Sequence, residues 1–115
     1  MRSGRRLKTP DYPDHPVLAE PWTCRIVGLS FLREAGGEDS QLDLILKDPD
    51  GVILSLRFTG IRSLVIEDGW PWTDSGLLIL DASSAGMEDV GVKVSSLEQG
   101  PSIRFWAKDV ERVGQ

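Results

Sequence analysis

The 115-residue sequence has one cysteine, one histidine and few aromatic residues, which make up 7% of the chain. The lone Cys24 excludes an intrachain disulfide and a zinc site built from several thiolates, and it favours a reducing, cytoplasmic location. Serine and cysteine nucleophiles usually need a histidine base, and the only candidate, His15, lies in a proline-rich segment. No apolar run approaches the roughly 20 residues of a membrane-spanning helix. We therefore predict no catalytic residue, metal site, cofactor or membrane insertion.

Charge is distributed unevenly along the chain. The formal net charge is -5, and four of the 13 basic residues fall within residues 1–9, which contain no acidic residue. The rest of the chain therefore carries 9 basic against 18 acidic residues. Because an acidic body repels phosphates, nucleic-acid binding is not expected. We interpret residues 1–16 as a mobile or loosely docked tail and residues 17–115 as a single domain.

The clearest positive signal is a hairpin pattern between residues 41 and 59. Leucines alternate with more polar residues on both sides of the segment 48–51, which reads Asp-Pro-Asp-Gly. Proline presets φ at a turn position and glycine tolerates positive φ, so this segment predicts the turn of a β-hairpin. Gly60 then interrupts an apolar pattern that resumes at Ile61, which predicts that the strand bends and continues.

Other segments of strand length are separated by short loops. They span residues 22–34, 76–81, 90–95 and 103–108, and residues 110–113 are expected to extend the last one. Parallel neighbours would need longer crossovers, so the strands should be antiparallel. The continuous apolar run at 77–80 indicates burial on both faces. The prediction is an all-β fold with little or no helix: a two-sheet sandwich or partly open barrel of six to seven short strands.

Tryptophans supply the best candidate binding surface. Trp70 and Trp72 flank a proline, and exposed tryptophans contribute large contact areas in protein interfaces or stack on sugars. Trp106 lies on the polar parity of a late strand beside Arg104, so these two residues would extend the aromatic patch. The alternative is that one or both loop tryptophans cap an open end of the β core.

Three segments carry a resemblance to a known group of proteins. They are 53–64 (ILSLRFTGIRSL), 78–81 (LILD) and 103–110 (IRFWAKDV). Together they resemble small bacterial all-β domains of uncharacterised function, some of whose relatives are immunity proteins of polymorphic toxin systems. The resemblance spans about residues 23–113 and implies an all-β fold and a protein partner, but it supplies no catalytic residue.

The leading hypothesis from the sequence is a non-enzymatic cytoplasmic domain that binds another protein, as an immunity-type inhibitor of a toxin. An acidic body would speed association with a basic toxin. The alternative hypothesis is a carbohydrate-binding or enzymatic domain that uses the Trp70 and Trp72 loop. A third possibility is that the same loop forms a homodimer.

Overall fold

A computed structural model describes residues 12–33, 40–68, 76–96 and 103–113. These residues form eight β-strands in two antiparallel sheets, with two short 3₁₀ turns at Pro21–Thr23 and Ser83–Ala85. The strands are β1 (Arg25–Arg33), β2 (Ser40–Lys47), β3 (Ile53–Thr59), β4 (Arg62–Ile66), β5 (Leu77–Asp81), β6 (Val92–Ser96), β7 (Ile103–Ala107) and β8 (Asp109–Val113). The all-β, two-sheet prediction is confirmed. No helix in these residues is long and apolar enough to cross a membrane.

The first sheet has the strand order β1-β2-β3-β8, and the second has the order β4-β7-β6-β5. The predicted hairpin is formed by β2 and β3. The Asp48 carboxylate accepts hydrogen bonds from the backbone N–H groups of Asp50 and Val52, each at 2.9 Å. The Gly51 N–H donates to the Asp48 carbonyl at 2.9 Å, and Gly51 has a φ of 88°. The predicted turn is confirmed: Gly51 has the expected positive φ, and the Asp48 side chain adds two hydrogen bonds that close the turn.

The two sheets share one corner, where two neighbouring strands bend together. β3 passes through Gly60 into β4, and β7 passes through Lys108 into β8. The Lys108 N–H donates to the Thr59 carbonyl at 2.8 Å, so the two bent chains are joined at the bend. Gly60 has a φ of 68°, and a Cβ placed on it would lie 2.7 Å from the Lys108 Cβ. The predicted bend at Gly60 is confirmed. The structure has eight strands, rather than six or seven, because the last predicted segment is divided at Lys108 into β7 and β8.

The core lies between the sheets and is built from the apolar parity of each strand. Phe58 of β3 and Phe105 of β7 meet across it edge to face, with ring centroids 5.0 Å apart. The largest fully buried side chains are Phe58, Leu42, Leu44, Leu46, Leu56, Ile79, Val92, Val94 and Pro21. Cys24 is also buried. The run from Leu77 to Leu80 is buried on both parities, as its sequence predicts.

A segment before β1 lies along the free edge of β5. The Asp81 N–H donates to the Pro13 carbonyl at 2.7 Å, and the His15 N–H donates to the Ile79 carbonyl at 2.9 Å. The His15 Nδ1 accepts a hydrogen bond from the Val17 N–H at 3.0 Å. The predicted tail, residues 1–16, overlaps this paired segment, and its first 11 residues lie outside the described residues.

Candidate functional site

Two of the four residues predicted as a binding surface, Trp70 and Trp72, lie outside the described residues. The other two, Arg104 and Trp106, lie on β7, whose alternate residues face the core. Both side chains therefore lie on the outer face of the second sheet. An Arg104 Nη1 to Glu67 Oε2 distance of 3.2 Å places the arginine in an exposed ion pair.

Trp106 is half-buried among neighbours from the same chain. Tyr12 packs against it edge to face with centroids 6.2 Å apart, and the Lys93 ammonium lies 5.0 Å from the ring centroid. Arg62 is its cross-strand partner on β4. A sugar ring stacks on an open aromatic face, and the face beneath Lys93 is already occupied by a cation. Trp106 therefore packs against Tyr12 and Lys93 on this sheet face, and its predicted role in binding stays a prediction.

The outer face of the first sheet carries a cross-strand ion pair. Arg57 Nε and Nη2 lie 3.1 and 3.2 Å from the two oxygens of Asp43, so the pair is bidentate. The pKa of Arg57 is raised, and the largest cause is the hydrogen bonding of its side chain to Asp43. Beside this pair is a shallow depression of about 120 Å³, lined by Arg57, Thr59, Asp109, Val110 and Glu111. Its volume is below the roughly 300 Å³ at which small-molecule sites begin.

Three of the four sheet edges carry features that block further strand pairing. On β5 the segment 13–15 already occupies the edge. On β8 three of five residues are charged (Asp109, Glu111 and Arg112), and the Asp109 carboxylate accepts a hydrogen bond from the Val110 N–H at 2.9 Å. β4 is only five residues long, and its register shifts after Arg62. Occupied, charged, short or irregular edges are the usual protections against unwanted association.

Among the residues that the structure describes, none of these protections covers the central part of the remaining edge, β1. It is nine residues long, and β2 is its only paired neighbour in the described parts of the chain. Three of its apolar side chains are largely exposed: Val27 at 52%, Phe31 at 45% and Leu32 at 55%. A register irregularity lies between Ile26 and Gly28, so the part from Gly28 onward pairs regularly.

The hydrogen bonds of the β2–β3 hairpin determine which backbone groups of β1 point towards β2 and which point away from the sheet. The Asp48 N–H donates to the Val52 carbonyl at 3.0 Å, and the Gly60 N–H donates to the Ser40 carbonyl at 2.8 Å. Because Ser40 and Asp48 both bond to the β3 side, the even-numbered residues of β2 direct their backbone N–H and C=O groups towards β3. Because backbone groups alternate in direction along an antiparallel strand, the odd-numbered residues of β2 point towards β1.

The residues of β1 that bond to β2 are therefore Gly28, Ser30 and Leu32, which register with its odd-numbered residues. The intervening residues direct their amide and carbonyl groups away from the sheet, and they are Leu29, Phe31 and Arg33. No hydrogen bond from these outward backbone groups is found within the part of the chain that the structure describes. The edge thus offers a row of backbone donors and acceptors beside exposed apolar side chains.

Cations stand at both ends of β1. Arg25 and Arg33 are its terminal residues, and Lys47 on β2 registers with Arg25. None of the three forms an ion pair among the described residues, whereas the arginines of β3, β4 and β7 each lie within 4.0 Å of a carboxylate. β1 itself contains no acidic residue. β1 itself therefore carries only positive charge on a chain of net negative charge, and Glu34 follows Arg33 in the sequence.

Sequence reasoning predicted β1 as a strand but did not identify it as a site. Its apolar residues occur on both parities, and this pattern does not show which side of the strand is left unpaired. No protein-family model, curated protein or solved structure matches this chain. The resemblance to immunity proteins therefore stays a hypothesis, and the geometry of the open edge is the principal observation bearing on function.

Proposed function

We propose that the chain is a non-enzymatic protein-binding domain that pairs its open edge strand, β1, with a strand of another protein. One observation carries the proposal: outward backbone groups at Leu29, Phe31 and Arg33 lie beside exposed apolar side chains on an otherwise protected fold. An extended segment added to such an edge gains main-chain hydrogen bonds, and its side chains cover the apolar groups.

The size of the apolar contribution indicates what kind of binding to expect. Burying the exposed parts of Val27, Phe31 and Leu32 would remove on the order of 200 Å² from water, which is worth about 5 kcal/mol. Association itself costs at least about 4 kcal/mol in lost translational and rotational freedom. The apolar groups of β1 alone therefore support weak binding, and tighter binding needs further contacts from the partner.

The particular form of this function that the sequence resemblance favours is an immunity-type inhibitor that binds a toxin in the cytoplasm. Blocking a toxin requires a protein interface, and strand addition supplies one without any catalytic group. The alternative, carbohydrate binding through the loop of Trp70 and Trp72, concerns residues outside those that the structure describes, and the open edge of β1 is the observation that favours a protein partner.

The test compares two matched proline variants at the two edges of the first sheet. Phe31→Pro removes an outward N–H of β1, and Arg112→Pro removes an outward N–H of β8 by the same alternation. Neither substitution interrupts a hydrogen bond within the sheet. Phe31→Ala removes the ring but keeps the N–H, which separates the apolar contribution from the backbone contribution.

Binding would be measured by calorimetry against toxins encoded beside the gene, with circular dichroism to check that each variant folds. We expect Phe31→Pro to abolish measurable binding, Phe31→Ala to weaken it and Arg112→Pro to leave it unchanged. Equal binding by the wild type and Phe31→Pro would refute strand pairing at β1. If none of these toxins bound the wild-type chain, the immunity form of the proposal would be wrong.

A further inference from the structure

We infer that β1 recognises an extended segment in which apolar residues alternate and acidic residues stand at both ends. This inference rests on the proposed function of the edge and adds the chemistry of the partner. It follows from the cations at the ends of β1, which form no ion pair within the described residues, and from the uneven exposure of its two faces.

The charges require acidic groups at both ends of the partner segment. Arg25 and Arg33 are eight residues apart, which corresponds to roughly 25 Å along a strand. This separation exceeds the screening length of about 8 Å at physiological ionic strength, so each end attracts charge independently. Lys47 reinforces the Arg25 end. A partner with one central carboxylate would reach neither end.

A second copy of this chain fits the edge less well. Another β1 would bring two more arginines and no carboxylate to the new pair. With the two strands centred on Leu29, Arg25 of one copy would stand opposite Arg33 of the other, and like charges placed opposite each other are destabilising. The edge therefore favours a different protein, although the net charge of -5 would by itself favour a basic one.

The two faces of β1 favour different side chains on the partner segment. Leu29 and Phe31 register with Leu44 and Leu42, which are fully buried, so they lie on the core-facing side of the sheet. Phe31 nevertheless remains 45% exposed at the end of this row. Partner residues opposite these two positions would extend the core row by one strand and should be apolar.

The opposite face of β1 restricts the partner's side chains less. Its first two members are Gly28, which has no side chain, and Ser30, which is exposed. Partner residues opposite Gly28 and Ser30 can be polar, whereas a residue opposite Leu32, which lies on the same face and is 55% exposed, should be apolar. The partner segment that fits therefore has acidic ends, apolar residues opposite Leu29, Phe31 and Leu32, and a polar residue opposite Ser30. Such a segment is short enough to be supplied by a loop or a terminal strand.

The inference is tested with three synthetic peptides that share a core of alternating valine and threonine. One carries two aspartates at each end, one carries two lysines at each end, and one has aspartate ends and a central proline. Binding to the full chain is measured by fluorescence polarisation, and hydrogen exchange at single amides is followed by NMR.

We expect the aspartate-ended peptide to bind about tenfold more tightly than the lysine-ended one, the effect of two or three exposed ion pairs. Its binding should slow exchange at the Leu29, Phe31 and Arg33 amides but not at Ser30, whose amide is already bonded to β2. The proline peptide should bind weakly. Arg33→Glu should reduce the preference for acidic ends, whereas the control Arg112→Glu should not, and added salt should diminish the preference.

Each contrary result has a separate meaning. Equal binding of the aspartate- and lysine-ended peptides, with protection of the β1 amides, would overturn the acidic ends and leave strand pairing intact. Failure of every peptide to protect these amides would overturn both the inference and the proposed strand pairing. Protection that rises with protein concentration in the absence of peptide would show that a second copy occupies the edge, which would overturn the choice of a different protein.

Discussion

Replacing Gly60 with alanine tests the corner at which the two sheets meet. Gly60 has a φ of 68°, and a Cβ at this position would lie 2.7 Å from the Lys108 Cβ. The neighbouring chains cannot easily separate there, because the Lys108 N–H is bonded to the Thr59 carbonyl at 2.8 Å. Gly60→Ala should therefore destabilise the fold through both backbone strain and steric overlap.

The two contributions can be estimated separately. A left-handed conformation costs an alanine about 1–2 kcal/mol, and the reduced freedom of the unfolded chain offsets roughly 0.4–1 kcal/mol of this. Carbon atoms normally approach no closer than about 3.5 Å, and inserting a methyl group into such a contact adds about 1–3 kcal/mol. The expected loss for Gly60→Ala is about 2–4 kcal/mol, a large share of the stability of a typical domain.

Gly86→Ala is the matched control, because Gly86 has a similar φ of 77° and a Cβ there would meet no atom within 4 Å. It should cost about 1 kcal/mol, from conformation alone. Unfolding in denaturant, followed by tryptophan fluorescence, measures both variants. Adding Lys108→Gly to Gly60→Ala should recover the steric part in a double-mutant cycle. Equal losses for Gly60→Ala and Gly86→Ala, or no coupling to Lys108, would refute the close approach at the corner.

Three further predictions concern single side chains. Hydrogen bonds from the Ser83 hydroxyl and N–H lower the pKa of Asp81, so its stabilising effect should be lost as pH falls below about 4, and Asp81→Asn should flatten that dependence of the unfolding midpoint. The pKa of Cys24 is raised, chiefly by burial, so a thiol reagent should label Cys24 only at the rate at which local or global unfolding exposes it. Asp48→Ala should cost about 1–2 kcal/mol in denaturant unfolding because two turn hydrogen bonds are lost, and Asp50→Ala less than about 0.5 kcal/mol.

The fold could be predicted from the sequence where local chemistry and periodicity agree. At the β2–β3 hairpin, the alternating leucines require a reversal at the place where Asp48 and Gly51 favour one, and the structure uses both residues. Gly60 was predictable as a bend for the same reason, because an apolar pattern continues on both sides of a residue that tolerates positive φ. The burial of the run from Leu77 to Leu80 also follows directly from its composition.

The candidate site could not be predicted, because it depends on strand order. Val27, Phe31 and Leu32 belong to a run that resembles a buried strand. Nothing in its composition shows that β2 is its only paired neighbour among the described residues. Trp106 illustrates the opposite case: its place on the polar parity suggested an exposed ring, but contacts with distant parts of the chain half-bury it. Both outcomes depend on contacts between residues far apart in sequence, which periodicity does not report.

The two edges of the first sheet form an internal comparison that bears on function. β8 carries three charged residues, and Asp109 satisfies the N–H of Val110, so this edge offers little to an incoming strand. β1 lies at the other edge of the same sheet and places charge only at its ends. An apolar edge strand carries a risk of self-pairing and aggregation, which a single lysine in place of Phe31 would reduce. Since nearly half of the Phe31 side chain is exposed, burial in the core alone does not account for an aromatic residue here, whereas contact with the proposed partner strand would account for it.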